Sequence, residues 1–355
     1  DDLIEDKVTG IVETLQELEA AEKENEGKGA FSFSRVTKNE YPRFGANLVT
    51  DVPFRKLAKT LKISDDIIKG FEKAWADVRP EALRSLKDTL RFTAVPSEER
   101  TRSYVDKLSG IALRLMDPDN EEPDEEPEDG SEDGVDDDAD DDANDVIVDH
   151  GADEGTDEDA DRGSTDTESG LPDAVFALPE VSVVGKDEHG KKTVRVAYGK
   201  YLTLLTGRLD LLLLTAREVD GKLRSRILTR KSVSEVTEDL GWRTTLPGTY
   251  FLIIEAKRQK AKLATHMPQV IAQSLALLQL TGQKAVNWCL STGEKWIFGV
   301  TQLDNTSGGA KVYATTTERY NLAKAESVRD IISHLALWMK TPPDDIVAKF
   351  EAVAG

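Results

Sequence analysis

The sequence is short of the residues and segments that cross-link or anchor a chain. It has one cysteine, Cys289, among 355 residues, so neither an intramolecular disulfide nor a zinc site built from cysteines can form. No apolar run approaches the ~20 residues of a membrane-spanning helix, and the opening DDLIEDKVTG lacks the basic start and apolar stretch of a signal peptide. These absences predict a soluble intracellular protein of the nucleus or cytoplasm that binds no membrane, with Cys289 in its core.

Histidine is also scarce, and its placement argues against two kinds of chemistry. The four histidines lack the spacing of metal ligands, so they are assigned no metal role. No serine or cysteine lies in a recognisable motif with a histidine partner, which leaves nucleophilic catalysis without support. The histidines are His150, His189, His266 and His334.

Negative charge is abundant but confined to one segment. The net charge is −21, yet residues 117–168 alone hold 27 Asp or Glu and a single basic residue, Arg162. The rest of the chain carries 45 Lys plus Arg against 40 Asp plus Glu, so it is mildly basic and compatible with a nucleic-acid partner. The acidic tract is predicted to be disordered. It is either a solvated spacer, a competitor of nucleic acid for the basic face, or a binding segment for basic proteins such as histones.

Hydrophobic periodicity divides the chain into four parts. Residues 1–96 are predicted to be mainly helical, 97–116 to form the first helix of the core domain, 117–170 to be the acidic insertion, and 171–355 to hold strands and further helices. The order helix, strands, helix, strands, helix predicts an α/β domain with a central mixed sheet flanked by helices. One apolar stripe marks the helix after Ser97: Tyr104, Leu108, Ile111 and Leu115.

Two hairpins are predicted in the last part of the chain. The segment VSVVGKDEHGKKTVRVAYG is interpreted as a hairpin that turns around residues 187–191. The segment AVNWCLSTGEKWIFGV is interpreted as a second hairpin, with its turn near Gly293. A closing amphipathic helix is predicted in ESVRDIISHLALWMK.

Two strongly apolar strands carry the residues of chemical interest. Asp210 stands at the beginning of the strand in TGRLDLLLLTA, and Glu255 and Lys257 stand at the end of the strand in TYFLIIEAK. If the strands pair antiparallel, these side chains meet at one edge of the sheet. Glu255 and Lys257 then share a face because strand side chains alternate.

Two carboxylates brought together at a sheet edge repel each other, and a divalent cation bound by oxygen ligands relieves the repulsion. Mg²⁺ suits such ligands best, with Mn²⁺ as a substitute. The ion can polarise a phosphodiester and lower the pKa of a bound water, and Lys257 beside it would orient or help to deprotonate that water. The unremarkable alternatives are a turn-capping role for Asp210 after Gly207 and a surface ion pair of Glu255 with Lys257.

An acidic residue on one strand followed by E-x-K on the next resembles the PD-(D/E)XK nuclease superfamily, over residues 97–116 and about 185–340. The sequence is more similar to divergent eukaryotic members, including fungal proteins and crinkler-type effectors, than to compact restriction enzymes. The resemblance implies a restriction-endonuclease-like core. It also implies Asp210 and Glu255 as metal ligands, with the Ala256 carbonyl completing the shell, and Lys257 as the residue that activates water.

The same resemblance implies two supporting groups. A glutamate in the first helix, either Glu98 or Glu99, would assist the site. Gln269 and Gln273, which are four residues apart on the helix that follows E-x-K, would steady the site or the scissile strand. The alternative for the two glutamines is an exposed polar helix face.

The sequence departs from the family pattern in three ways. The proline that precedes the metal-binding aspartate in the family is Leu209 here, and the literal Pro172-Asp173 lies far upstream. The step from Asp210 to Glu255 is long, and the connection between these strands is predicted to cover or bind substrate. The acidic tract is inserted between the first helix and the sheet, which a loop tolerates at little cost.

Basic residues near the predicted site suit contacts with phosphates. The alternatives are a nuclear-import signal or a solvated surface. One cluster follows Lys257 and the other lies in the long connection: Arg258, Lys260 and Lys262, then Arg224, Arg226, Arg230 and Lys231.

These observations together predict a Mg²⁺-dependent endonuclease that hydrolyses phosphodiesters in DNA, with RNA as the alternative substrate. The first rival is a nuclease-like module that binds nucleic acid or protein without cutting. The second rival is a factor that binds histones or other basic proteins through residues 117–168.

Overall fold

A computed structural model describes the chain over eleven stretches, and all of them lie in one compact unit that joins the chain before residue 120 to the chain after residue 170. The helix predicted near the N-terminus, most of the helical pattern after residue 61, the acidic tract and the predicted turn at 187–191 lie outside them. The described residues are 30–60, 75–76, 79–80, 84, 97–116, 174–183, 193–199, 201–216, 219–246, 248–304 and 309–354.

A large mixed sheet organises the described residues. Its strand order is β1-β5-β6-β7-β8-β9-β2, with β3 and β4 paired to β5 and β10 paired to β8. Three pairs are parallel, namely β1 with β5, β6 with β7 and β2 with β9, and the others are antiparallel. The strands are β1 (Phe31–Ser32), β2 (Ala46–Val52), β3 (Ala174–Val183), β4 (Val194–Tyr198), β5 (Tyr201–Ala216), β6 (Tyr250–Ala256), β7 (Ala285–Ser291), β8 (Lys295–Leu303), β9 (Ala310–Thr315) and β10 (Glu318–Arg319).

Helices cover both faces of this sheet, as an α/β architecture requires. Within the described residues no helix is long and apolar enough to cross a membrane. The helices are α1 (Tyr41–Phe44), α2 (Phe54–Thr60), α3 (Glu98–Met116), α4 (Gly221–Thr229), α5 (Val233–Leu240), α6 (Met267–Thr281), α7 (Ala325–Lys340) and α8 (Pro343–Ala354).

The strand β6 shows why the apolar runs of the sequence are continuous. Phe251 and Ile253 belong to the core on one face of the sheet, where α6 packs. Leu252 and Ile254 belong to the core on the other face, with α3, α7 and α8. Because both faces are buried, consecutive positions from Phe251 to Ile254 are all apolar and period-two alternation disappears.

Several predictions about these elements are confirmed. The helix after Ser97 begins at Glu98, and its four-residue apolar stripe is buried in the second core. The hairpin with its turn near Gly293 is formed by β7 and β8, and Cys289 is fully buried, which raises the pKa of its thiol.

The other predicted hairpin, between β3 and β4, is wrong because these two strands do not pair with each other. The strands β3 and β4 both pair with β5 instead of with each other: β3 pairs with its second half and β4 with its first half. β5 is 16 residues long, so it offers partners to both strands. The true hairpin joins β4 to β5 through the turn at Gly199, whose φ of +52° suits glycine.

Two strands in the first part of the chain were not predicted from the sequence. β1 and β2 lie within the segment predicted to be mainly helical, and both join the sheet. In β2 most side chains are exposed or half-buried, so its sequence ANLVTDV has neither a continuous apolar run nor a clean alternation to mark it. The helix α8, after the closing helix that was predicted, was missed as well.

Candidate active site

The antiparallel pairing of β5 and β6 brings Asp210 and Glu255 together. The register places Leu211 opposite Ile254, so Asp210 lies immediately before this pair and Glu255 immediately after it. Asp210 Oδ2 accepts a hydrogen bond of 2.8 Å from the backbone N–H of Ala256. The predicted meeting of Asp210 with the end of β6 is therefore confirmed, but Asp210 lies in the interior of the 16-residue β5 and not at the beginning of a strand.

Glu255 is almost completely buried, with 2% of its surface exposed, and its carboxylate accepts three side-chain hydrogen bonds. Lys257 Nζ donates to Oε1 over 2.6 Å, Gln269 Nε2 donates to the same oxygen over 2.5 Å, and Gln273 Nε2 donates to Oε2 over 2.7 Å. A buried carboxylate is tolerated only when donors and a counter-charge surround it, and these three side chains meet that requirement.

The unremarkable alternatives for these residues do not hold. Lys257 is 7% exposed and Gln273 is inaccessible, so neither belongs to a solvated ion pair or to an exposed helix face. Gln273 also donates to the backbone carbonyl of Arg208 over 3.2 Å, which ties α6 to the start of the apolar part of β5. Asp210 does not cap a turn after Gly207, because its two carboxylate oxygens contact Ala256 and Arg102.

Arg102 of α3 is the second partner of Asp210. Its Nη2 lies 2.7 Å from Asp210 Oδ1 and 3.2 Å from Glu98 Oε1, and its Nη1 lies 3.5 Å from Glu180 Oε1. Since Glu98 is four residues before Arg102, the two face each other on one side of the helix. The guanidinium thus joins the predicted helix glutamate to the aspartate of the sheet.

Burial and a neighbouring carboxylate raise the pKa of Asp210 to about 7. The largest cause is the loss of hydration, and the negative charge of Glu255 adds to it. The hydrogen bond from Ala256 and the positive charges of Arg102 and Lys257 act in the opposite direction without cancelling these causes. The two carboxylates therefore repel each other across a partly dehydrated site.

An open cleft of about 370 Å³ gives access to this cluster. Of the two candidate helix glutamates, Glu98 lines the cleft, whereas Glu99 is exposed and does not line it. The cleft is lined by Ser32, Phe33, Ser34, Glu98, Arg102, Gly207, Arg208, Asp210, Glu255, Lys257, His266 and Gln269.

Sequence reasoning missed several residues of this cleft. The spacing of Glu98 and Arg102 was an available signal, because residues four apart on a helix share a face. His266 immediately precedes α6, and burial together with the charge of Lys257 lowers the pKa of its imidazole. The hydroxyls of Ser32 and Ser34 come from the N-terminal segment, for which the sequence offered no signal.

The predicted nucleic-acid contacts fall into two groups. Arg226 and Arg230 are bound to Asp239 at 2.7 and 2.6 Å, so this ion pair competes with phosphate for both guanidinium groups. Arg226 lies in α4, Arg230 directly follows α4, and Asp239 lies in α5, the second helix of the long connection between β5 and β6. The remaining side chains are exposed or, for Arg224, half-buried: Arg224, Lys231, Arg258, Lys260 and Lys262.

The cluster fits a hard divalent cation with few protein ligands. No group of three or more His, Cys, Asp or Glu in ligand geometry is found among the described residues. Mg²⁺, however, is typically held by one or two carboxylates and completes its shell with water and substrate phosphate. Asp210 and Glu255 offer two carboxylates whose repulsion a cation would reduce. The predicted role of the Ala256 carbonyl stays a prediction.

No protein-family model matches this sequence, and comparison with curated proteins finds no significant match.

Proposed function

We propose that the protein is a Mg²⁺-dependent endonuclease that hydrolyses phosphodiesters in DNA through a PD-(D/E)XK-type site on a restriction-endonuclease-like core. The observation that carries the proposal is the convergence of Asp210 and Glu255 from adjacent strands, with Lys257 hydrogen-bonded to Glu255 at 2.6 Å. Neighbouring carboxylates beside one amine are the groups that metal-assisted phosphodiester hydrolysis uses.

Each side chain has a distinct task in this proposal. When bound, the cation would supply Lewis-acid activation of water and of the phosphate. Asp210 and Glu255 hold it, and the Ala256 N–H fixes the orientation of the Asp210 carboxylate. Gln269 and Gln273 fix both oxygens of Glu255. Lys257 uses the N–H groups of Nζ that do not bind Glu255 to position the attacking water or a phosphate oxygen.

The direct test is cleavage of supercoiled plasmid DNA by the full chain with Mg²⁺ or Mn²⁺, compared with the same reaction in EDTA. We expect nicked or linear products only with the metal. A parallel reaction on a single-stranded RNA of similar length decides between DNA and RNA as the substrate. Binding without cleavage of either polymer in both metals would reject the enzymatic proposal.

Exposed basic side chains after β6 are expected to supply phosphate contacts. Replacing both Lys260 and Lys262 by alanine should weaken DNA binding and reduce the slope of log K against log salt by about 2, because each lysine that contacts a phosphate contributes about 1. The measurement is fluorescence anisotropy of a labelled duplex at several salt concentrations.

The matched control removes two cations that are already engaged. The double substitution Arg226→Gln and Arg230→Gln takes away the same formal charge, but both guanidinium groups are bound to Asp239. We therefore expect a smaller change in slope for this variant. Equal slopes for the two double variants would show that binding depends on net charge alone.

A second candidate function is a nuclease-like module that binds nucleic acid without cutting it. The observation in its favour is the contact of Arg102 with Asp210 Oδ1 at 2.7 Å, since a guanidinium neutralises this carboxylate where a cation would otherwise do so. Retention of DNA binding together with an absence of cleavage separates this candidate from the first. The third candidate, binding of histones through residues 117–168, concerns a segment outside the described residues.

A further inference from the structure

Arg102 lies at the centre of a ring of acidic side chains. Its Nη groups are within 3.5 Å of Asp210, Glu98 and Glu180, and the charge of Glu255 also acts on it. One guanidinium thus forms ion pairs with three carboxylates in and beside the cleft. Any other cation that enters the cleft meets the same carboxylates, so it competes with Arg102 for them.

The present position of Arg102 leaves its hydrogen bonding incomplete. The Nε atom is buried, and it has no hydrogen-bond partner among the described residues. An unsatisfied buried donor costs desolvation free energy. This cost lowers the stability of the present Arg102 side-chain conformation relative to its other conformations. The side chain is also 34% exposed and lines the cleft, so it has an open path toward a bound polyanion.

We infer that Arg102 is a movable internal cation that competes with the divalent ion for Asp210 and moves to nucleic-acid phosphate when substrate enters the cleft. This inference rests on the proposed function and adds regulation of the same site. Arginine suits the role because its planar fork binds carboxylate and phosphate with the same geometry.

Movement of Arg102 links the binding of the divalent ion thermodynamically to the binding of nucleic acid. If phosphate withdraws the guanidinium from Asp210, nucleic acid raises the affinity for the divalent ion, and by linkage the ion raises the affinity for nucleic acid by the same factor. The two ligands would then bind cooperatively through Arg102. A fixed structural role predicts the reverse effect of substitution, because loss of Arg102 would leave Asp210 poorly oriented and weaken metal binding.

The test is Mn²⁺ binding to the full chain, measured by the electron paramagnetic resonance signal of the free ion, without any activity readout. We compare the wild type with Arg102→Gln, Arg102→Lys and Asp210→Asn. Arg114→Gln is the matched control, since Arg114 is exposed on the same helix, about 18 Å further along. Titrations are repeated with a phosphorothioate duplex that resists cleavage, after subtraction of Mn²⁺ bound by the duplex alone.

We expect Arg102→Gln to bind Mn²⁺ about tenfold more tightly than the wild type, because one charge-assisted hydrogen bond no longer competes with the ion. The duplex should tighten Mn²⁺ binding of the wild type and of Arg114→Gln by about the same factor. The duplex should have little effect on the affinity of Arg102→Gln for Mn²⁺. Arg102→Lys keeps the charge but not the planar fork, so its affinity for Mn²⁺ should lie between those of the wild type and Arg102→Gln. Thermal denaturation of each variant checks its folding.

Unchanged or weaker Mn²⁺ binding by Arg102→Gln, with binding lost in Asp210→Asn, would overturn the role of Arg102 and leave the metal site of the proposed function intact. Equal Mn²⁺ binding by the wild type and Asp210→Asn would instead overturn the metal site itself, and the inference with it.

Discussion

Replacing Lys257 by alanine is expected to lower the rate of plasmid cleavage about 100- to 1,000-fold, which is the range for loss of one positioned hydrogen-bond donor in an active site. The Lys257 side chain is 8% exposed and its Nζ lies 2.6 Å from Glu255 Oε1, so no solvent cation replaces it in the same position. Asp210→Asn should cause a loss of similar size, because a neutral amide holds a divalent ion poorly. Initial rates of nicking in Mg²⁺ measure both effects.

The control for Lys257 is Lys284→Ala, because Lys284 is exposed and precedes β7, at the opposite end of the sheet from Glu255. We expect cleavage close to that of the wild type. DNA binding by Lys257→Ala, measured by anisotropy, should remain within a fewfold of the wild type, so that the loss lies in the chemical step. A Lys257→Ala protein that still cleaves at the normal rate would remove this lysine from the proposed mechanism.

The centre of the site could be predicted because it depends on two regular patterns. The continuous apolar runs around Asp210 and Glu255 mark strands buried on both faces, and strand alternation places Lys257 beside Glu255. A four-residue helical spacing likewise places Gln269 and Gln273 on one face. All of these relations are local or involve one pair of neighbouring strands, so they required no knowledge of the remaining topology.

The rest of the cleft depends on contacts between elements that are far apart in sequence. Arg102 reaches Asp210 across 108 positions of the chain, and Ser32 arrives through a two-residue strand, β1, that pairs with β5. Such packing leaves no periodic trace in the sequence. The pairing of β3 and β4 with β5 is of the same kind, since proximity in sequence favoured a hairpin and the length of β5 decided otherwise.

The two arginines of the long connection illustrate a limit of reasoning from charge. Arg226 and Arg230 looked like phosphate contacts because basic residues are frequent there, but Asp239, only 9 positions after Arg230, binds both. A count of charges does not reveal such pairs, because the partner is selected by the packing of α4 against α5. Exposure and pairing together therefore leave Lys231, Arg258, Lys260 and Lys262 as the better candidates.

The contribution of Asp210 to the stability of the metal-free protein is expected to fall as pH rises from about 4 to 7. Its pKa is about 7 in the folded protein, against 3.8 for a free aspartate. Between these values the folded state keeps a proton that the unfolded state has released, so rising pH favours unfolding. The penalty is absent below pH 4 and complete above pH 7.

Asp210→Asn cannot ionise and should lack this dependence. The free energy of unfolding of the wild type minus that of the variant should decrease by on the order of 2–4 kcal/mol between pH 4.5 and 7.5, since one pKa unit corresponds to about 1.4 kcal/mol. Urea denaturation in EDTA measures the difference. The attraction of Arg102 for the ionised carboxylate adds no separate effect, because it lowers the folded-state pKa of Asp210 and is already included in that value.

Asp239→Asn is the matched control with the opposite sign. Its hydrogen bonds with Arg230 and Arg226 hold the pKa of Asp239 below the usual value of 3.8, so it stabilises the folded state above that pH and loses this effect only in stronger acid. The free energy of unfolding of the wild type minus that of Asp239→Asn should therefore stay constant from pH 4.5 to 7.5. A flat curve for Asp210→Asn as well would mean that Asp210 is ionised throughout this range, and that its repulsion with Glu255 is too weak to create a demand for a cation.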